Sequence, residues 1–170
     1  MLTRLTSRNG NAVLPLEDCK EYLRVTHSDE DGQIGRLRDA AIAEVERVSG
    51  VALSQADFRW TLPRFTAAIT LPVRPVIEVL DVTYESGEGV AIYSGWRLSQ
   101  GKVLPALNQG WPVARGFAAV DFSAGLLDPS DEPDLIASVL RLLAHFHDNR
   151  SSEVPRGLTR EIISHRQVLI

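Results

Sequence analysis

A single cysteine, Cys19, stands in 170 residues. That excludes an internal disulfide and any zinc cage built on thiolates. No apolar run approaches the ~18–20 residues of a membrane span. The N-terminal MLTRLTSRNG carries charge but no apolar stretch of the kind that drives secretion. These absences predict a chain made and assembled in the cytoplasm, with no membrane partner. An excess of positive charge is also missing. The formal net charge is −4, so no global basic field exists to hold nucleic acid non-specifically. Catalytic signatures are absent too. There is no G-x-S-x-G elbow, no phosphate-binding P-loop, no H-E-x-x-H and no G-x-G-x-x-G fingerprint. No catalytic residue, metal ligand or cofactor is therefore assigned.

What is present is an ordinary globular balance, with 44% hydrophobic and 24% charged residues, enough to bury a sizeable core. Residues 1–14 are polar and unpatterned and predict a flexible arm. LEDCKEYLRV (16–25) reads as a short helix with Leu16, Cys19 and Leu23 on one side. HSDEDG then opens a longer helix, with Ser28 or Asp29 as its cap. Ile34, Leu37, Ala41, Val45 and Val48 form its stripe, and Gly50 is its stop. The Asp29-Glu30-Asp31 run reads as helix-opening charge, since a calcium loop would need a bidentate glutamate where Ala40 stands. Residues 53–125 change to β character, with candidate strands at 57–62, 67–71, 76–85, 90–99 and 118–125. In the third, strict alternation puts Val76, Glu78, Leu80, Val82 and Tyr84 on one face. ESGEG (85–89) reads as a hairpin turn. Residues 101–116 read as a long irregular loop, a usual place for binding or assembly. Residues 128–150 return to helix, opened by acids and Pro133.

The helix ends in HFHDNR, which raises the question of a metal site. Two residues apart on a helix, His145 and His147 point in directions roughly 200° apart. They cannot share an ion within one helix. His147 follows Leu143 by four and is expected on the apolar stripe as an aromatic-sized core residue, with His145 in solvent. Trp60 and Trp96, with Arg59 and Arg97 beside them, allow a nucleic-acid stacking platform. Sheet core or subunit contact is the commoner use of such residues.

The order of segments adds a further clue. LEDCKEYLRV is followed by the acid-capped helix, FRWTLPRF, and LPVRPVIEVLDVTY (71–84). Then come the Trp111-Pro112 loop, VDFSAG (120–125) and the helix ending in AHFHDNR. Over roughly residues 14–150 this set resembles the head–tail connector (adaptor) proteins of tailed double-stranded DNA phages and phage-derived gene transfer agents. The resemblance implies an α+β fold: a small helical bundle with a β-rich insertion between its second and third main helices, and extended terminal arms. It implies a connector domain over 15–150 (helices 15–50 and 128–150, insertion 53–125) and no enzyme activity. It also implies a homo-oligomeric ring, twelve copies in the family, binding the portal and the stopper or tail-completion protein. DNA would pass through the ring without tight binding, in the neck of a virion assembled in the bacterial cytoplasm.

Residues 151–170 complete the picture as a C-terminal docking arm. Leu158 and Ile162, four apart, give one helical face. Arg166 precedes the apolar end Val168-Leu169-Ile170. These six are the expected portal-binding residues, with docking on the chain's own core as the alternative. Trp111, Pro112 and Arg115 are the expected subunit or neck contacts. Two other classes stay open. One is a small metal-dependent hydrolase using His27, His145, His147 and His165, and the other is a monomeric interaction module.

Overall fold

The computed structural model describes residues 1–149 and 154–164. It is an α+β protein made of two compact units, each discontinuous in sequence. Met1–Ser7 and Gln55–Gly125 make a β unit, while Arg8–Ser54 and the described residues from Leu126 onward make a helical unit. The insertion expected at 53–125 thus falls almost wholly in one compact unit. It also recruits residues from the start of the chain.

The helical unit contains α1 (Gly10–Val13), α2 (Leu16–Leu23), α3 (Asp31–Ser49), α4 (Pro133–Asn149) and α5 (Arg156–Ser164), with a short 3-10 turn at Pro129–Asp131. The stripe on α3 buries Ile34, Ala41, Val45 and Val48, with Ile42 beside them. They pack with Leu135, Val139, Leu142, Leu143 and Phe146 of α4 in one apolar core. Gly50 ends α3 with φ of 72°, a left-handed conformation that glycine adopts without a Cβ clash. The helix begins one or two residues later than its acids suggest. Glu30 occupies the cap position and makes no capping bond with its side chain, so neither Ser28 nor Asp29 serves.

Residues 1–14, expected as a flexible arm, are ordered. β1 (Leu2–Arg4) pairs antiparallel with β2 (Ala56–Leu62). Further on, Val13 and Leu14 enter the helical core. The buried Arg38 guanidinium fastens this second piece. It donates to the Asn11 side-chain oxygen at 3.2 Å and to the Leu14 carbonyl at 3.3 Å. Gly10 permits the close approach, because a Cβ there would lie 1.8 Å from Asp39 Oδ1. A polar composition hid this segment, since its contacts run largely through backbone and guanidinium.

The β unit holds a five-stranded antiparallel sheet in the order β1-β2-β8-β4-β5, with β4 at Val76–Ser86, β5 at Gly89–Ile92 and β8 at Ala118–Ala124. A second, three-stranded sheet joins β3 (Ile69–Thr70), β7 (Lys102–Pro105) and β6 (Trp96–Ser99). One candidate strand, 90–99, is therefore two strands in different sheets. The expected loop at 101–116 opens with β7. Alternation on β4 also fails, because its pairing with β8 slips between Val76 and Glu78 and again between Val79 and Asp81. Each bulge inserts one residue. Val79 and Val82 thus both lie opposite buried residues, Phe122 and Val120, and Leu80 is turned to solvent at 43% exposure. Phe58 of β2 stacks on Phe122 with ring centroids 5.6 Å apart. Together they make the aromatic centre of the apolar face. The opposite face is polar, with Arg59 paired to Asp121 through two bonds of 2.7 and 2.6 Å.

Candidate functional site

Three places bear on function: the loop carrying Trp111, the histidines of α4, and the C-terminal helix. The loop leaves β7 at Pro105 and is held at both ends. The Ala106 N–H donates to the Gly95 carbonyl at 2.7 Å, and the Tyr93 hydroxyl donates to the Gly110 carbonyl at 3.0 Å. At its far end the Arg115 N–H donates to the Glu85 carbonyl, and the Glu85 N–H to that of Phe117. Trp111 lies flat on Phe65, centroids 4.6 Å apart and planes 4° apart, with Tyr93 tilted against it at 5.6 Å. It stacks within its own unit. Its Nε1 is shielded from solvent and has no hydrogen-bond partner among the described residues. Pro112 is half-buried and Arg115 exposed. The apolar groups this loop presents outward are Leu107 and Val113, 78% and 83% exposed. Residue size in the sequence points to the tryptophan, whereas exposure picks out these two.

On α4 the buried face runs Leu135, Ser138, Val139, Leu142, Leu143, Phe146. The core aromatic is thus Phe146, and His147 is not the core residue expected. It sits one position round the helix, at the rim. Its Nε2 is 3.3 Å from Glu30 Oε2 at the start of α3, and its Nδ1 is 3.3 Å from Asp148 Oδ1. The Asp148 hydrogen bond holds the His147 pKa above the ordinary histidine range, against partial burial, and Glu30 adds to the rise. A raised folded-state value means that the stabilisation is present below the ordinary histidine pKa and is lost as pH rises through the folded one. His147→Gln is therefore expected to cost under about 1 kcal/mol near pH 6 and nearly nothing above about pH 8. Denaturation midpoints of the two proteins across pH check this, and a gap that widens with rising pH would refute it.

His145 lies against Asn149, its Nδ1 3.1 Å from the amide nitrogen. His27 is exposed, and His165 lies outside the described residues. Among the described residues, no three histidine, cysteine or carboxylate side chains gather as a metal site. Cys19 is fully buried, and burial pushes its thiol up to about 11. Trp60 and Arg59 are neighbours on a strand and point to opposite faces, so they form no common stacking platform.

The C-terminal helix α5 packs on its own unit. Ile162 is fully buried in the helical core and Leu158 packs against that core, while Arg141 of α4 pairs with Glu161. This corrects the expectation that Leu158 and Ile162 face the portal. Arg166, Val168, Leu169 and Ile170 lie outside the described residues.

No protein-family model matches the chain, and no curated protein does. Solved structures do. A chain in the neck of an empty gene transfer agent (GTA) particle, computed with C6 symmetry, superposes with a TM-score of 0.79 at 28% identity. A chain in the virion of the native GTA particle gives 0.80 at 28%, and one in the native neck computed with C12 symmetry gives 0.78 at 28%. Each match covers 100% of this chain and 97% of the other. End-to-end likeness of this kind defines a class, the structural proteins of virion necks. This likeness to GTA neck chains supports a phage-derived head–tail connector family.

Proposed function

We propose that this protein is a connector subunit in the neck of a phage-like particle. Copies form a ring beneath the portal, join the head to the stopper and tail, and enclose part of the DNA path. The full-length likeness to GTA neck chains, at a TM-score of 0.79, carries this reading. The C6 and C12 symmetry of those necks supports a ring, with twelve copies in the C12 case. A net charge of −4 suits a conduit that must let a polyanion slide. The subunit assembles in the bacterial cytoplasm and resides in the finished virion. Leu107, Val113 and Arg115 are the groups of the Trp111 loop that reach a neighbour. Arg166 and Val168–Ile170 are the segment that docks on the portal.

Particles made without this chain are expected to be DNA-filled heads lacking tails, by electron microscopy. Normally tailed particles would overturn the reading. Removing Val168–Ile170 alone is expected to leave a folded subunit that no longer co-purifies with the portal. Undiminished co-purification would remove the docking assignment and leave the neck role intact.

A further inference from the structure

The five-stranded sheet ends in β1 on one side and β5 on the other. Both edges carry exposed apolar side chains. At the first edge, Met1, Leu2 and Leu5 are 81%, 40% and 51% exposed; at the second, Val90 and Ile92 are 67% and 72% exposed. The register shows which backbone groups point off the sheet. The Tyr93 N–H bonds to the Val82 carbonyl, so Ala91 and Gly89, two and four residues away, turn toward β4. Val90 and Ile92 turn their N–H and C=O outward. On β1, Met1 and Leu5 bond to Thr61 and Asp57 of the β2 side, which turns the backbone of Leu2 outward. Sheets normally blunt such edges with charge, proline or a bulge, because they template another strand. GVAI (89–92) contains none of these.

The two edges also differ in charge. Residues 1–16 contain Arg4 and Arg8 and no acid. Arg8 pairs with Glu46, and Arg4 lies on β1 itself. The hairpin at the second edge carries Glu85 and Glu88, with Arg115 lying against Gly87.

Every ladder in this sheet is antiparallel, so its first and fifth strands run in the same direction. A copy displaced along the sheet with a small rotation brings its β1 beside the β5 of the copy before it, parallel and with the same face outward. Joining like edges would instead need a twofold axis and stop at two copies. A head-to-tail contact between unlike patches is what closes a cyclic ring.

Resting on the neck reading, we propose that β5 of one copy pairs with β1 of the next, so that the subunits share a continuous sheet around the ring. The partner at each edge is a second copy of this chain. Its backbone supplies the hydrogen bonds, and Val90 and Ile92 are covered by the apolar residues of their own face, Met1 and Leu5.

Cysteine cross-linking in assembled particles tests this. Thr3 and Ile92 project from the same face of the sheet, through the cross-strand pairs Thr3↔Arg59↔Asp121 and Ile92↔Thr83↔Ala119. Thr3→Cys is combined with Ile92→Cys and, in case of a two-residue slip, with Val90→Cys. Buried Cys19 does not compete. After oxidation, either double variant is expected to run on non-reducing gels as a ladder well beyond a dimer, and each single variant as a monomer. Particles whose necks assemble while neither double variant gives a ladder would overturn the edge pairing and leave the neck reading standing. Dimers from a single variant would also overturn it, by showing like edges in contact. A chain that never enters particles would overturn both.

Discussion

Phe122→Ala is expected to lower the stability of the β unit by about 3–5 kcal/mol, the range for truncating a buried phenylalanine. Phe122 is fully buried on the central strand β8 and stacks on Phe58. Its neighbours across the sheet, Phe58 and Val79, belong to strands on either side. They are fixed by backbone hydrogen bonds and cannot close the void. The measurement is selective, because all three tryptophans, Trp60, Trp96 and Trp111, lie in this unit. Tryptophan fluorescence during denaturation therefore follows the β unit directly. Arg59→Ala on the other face of the sheet removes an exposed ion pair and is expected to cost under about 1 kcal/mol. Equal midpoint shifts for the two variants would contradict the assigned faces.

Ile162→Ala is expected to cost the helical unit about 2–5 kcal/mol. The side chain is fully buried among residues of α3 and α4, although it lies near the end of the chain, where losses are usually small. Far-UV circular dichroism, dominated by helix, follows this transition. Ile163, the next residue, is 48% exposed, and its replacement by alanine is expected to stay within about 0.5 kcal/mol. If both substitutions proved equally mild, α5 would not be part of the core. The contrast also fixes how portal docking should be tested. Cutting the chain after Arg160 would remove Ile162 and confuse unfolding with lost attachment, whereas cutting before Val168 spares the core.

Much of the helical unit was legible because its signals are local. The α3 stripe and the glycine stop at Gly50 each lie within a few turns of one helix. The order of segments carried the family in the same way. What escaped depends on partners distant in sequence. β1 reads as a polar tail because its place is set by pairing with β2, some 55 residues away. β7 escaped because Pro105 and the turn at Gln100 and Gly101, both with positive φ, look like loop chemistry. The faces of β4 depart from simple alternation because its bulges leave no mark in a hydrophobicity pattern. His147 was placed in the core by its spacing from Leu143, but Phe146 is larger, more apolar and one step nearer the centre of the buried face. As for the candidate contacts, residue size pointed to Trp111, which stacks inward. Exposure, which sequence does not report, picks out Leu107 and Val113.

Strand order also governs how the chain can mature on the ribosome. β8 is the last strand of its sheet to be synthesised, yet it lies between β2 and β4. Until residues 118–124 emerge, those two strands have no common neighbour, and the aromatic ring of Phe58 has no Phe122 to cover it. The helical unit waits longer still, because α3 is made early and its partners α4 and α5 come last. Closure of both units is thus deferred until β8 and the helices after it have been made, with apolar strands and a bare helix stripe exposed meanwhile. Such long-range closure is slow and prone to aggregation. A nascent chain of this design therefore carries aggregation-prone surface until β8 and α4 have both been made.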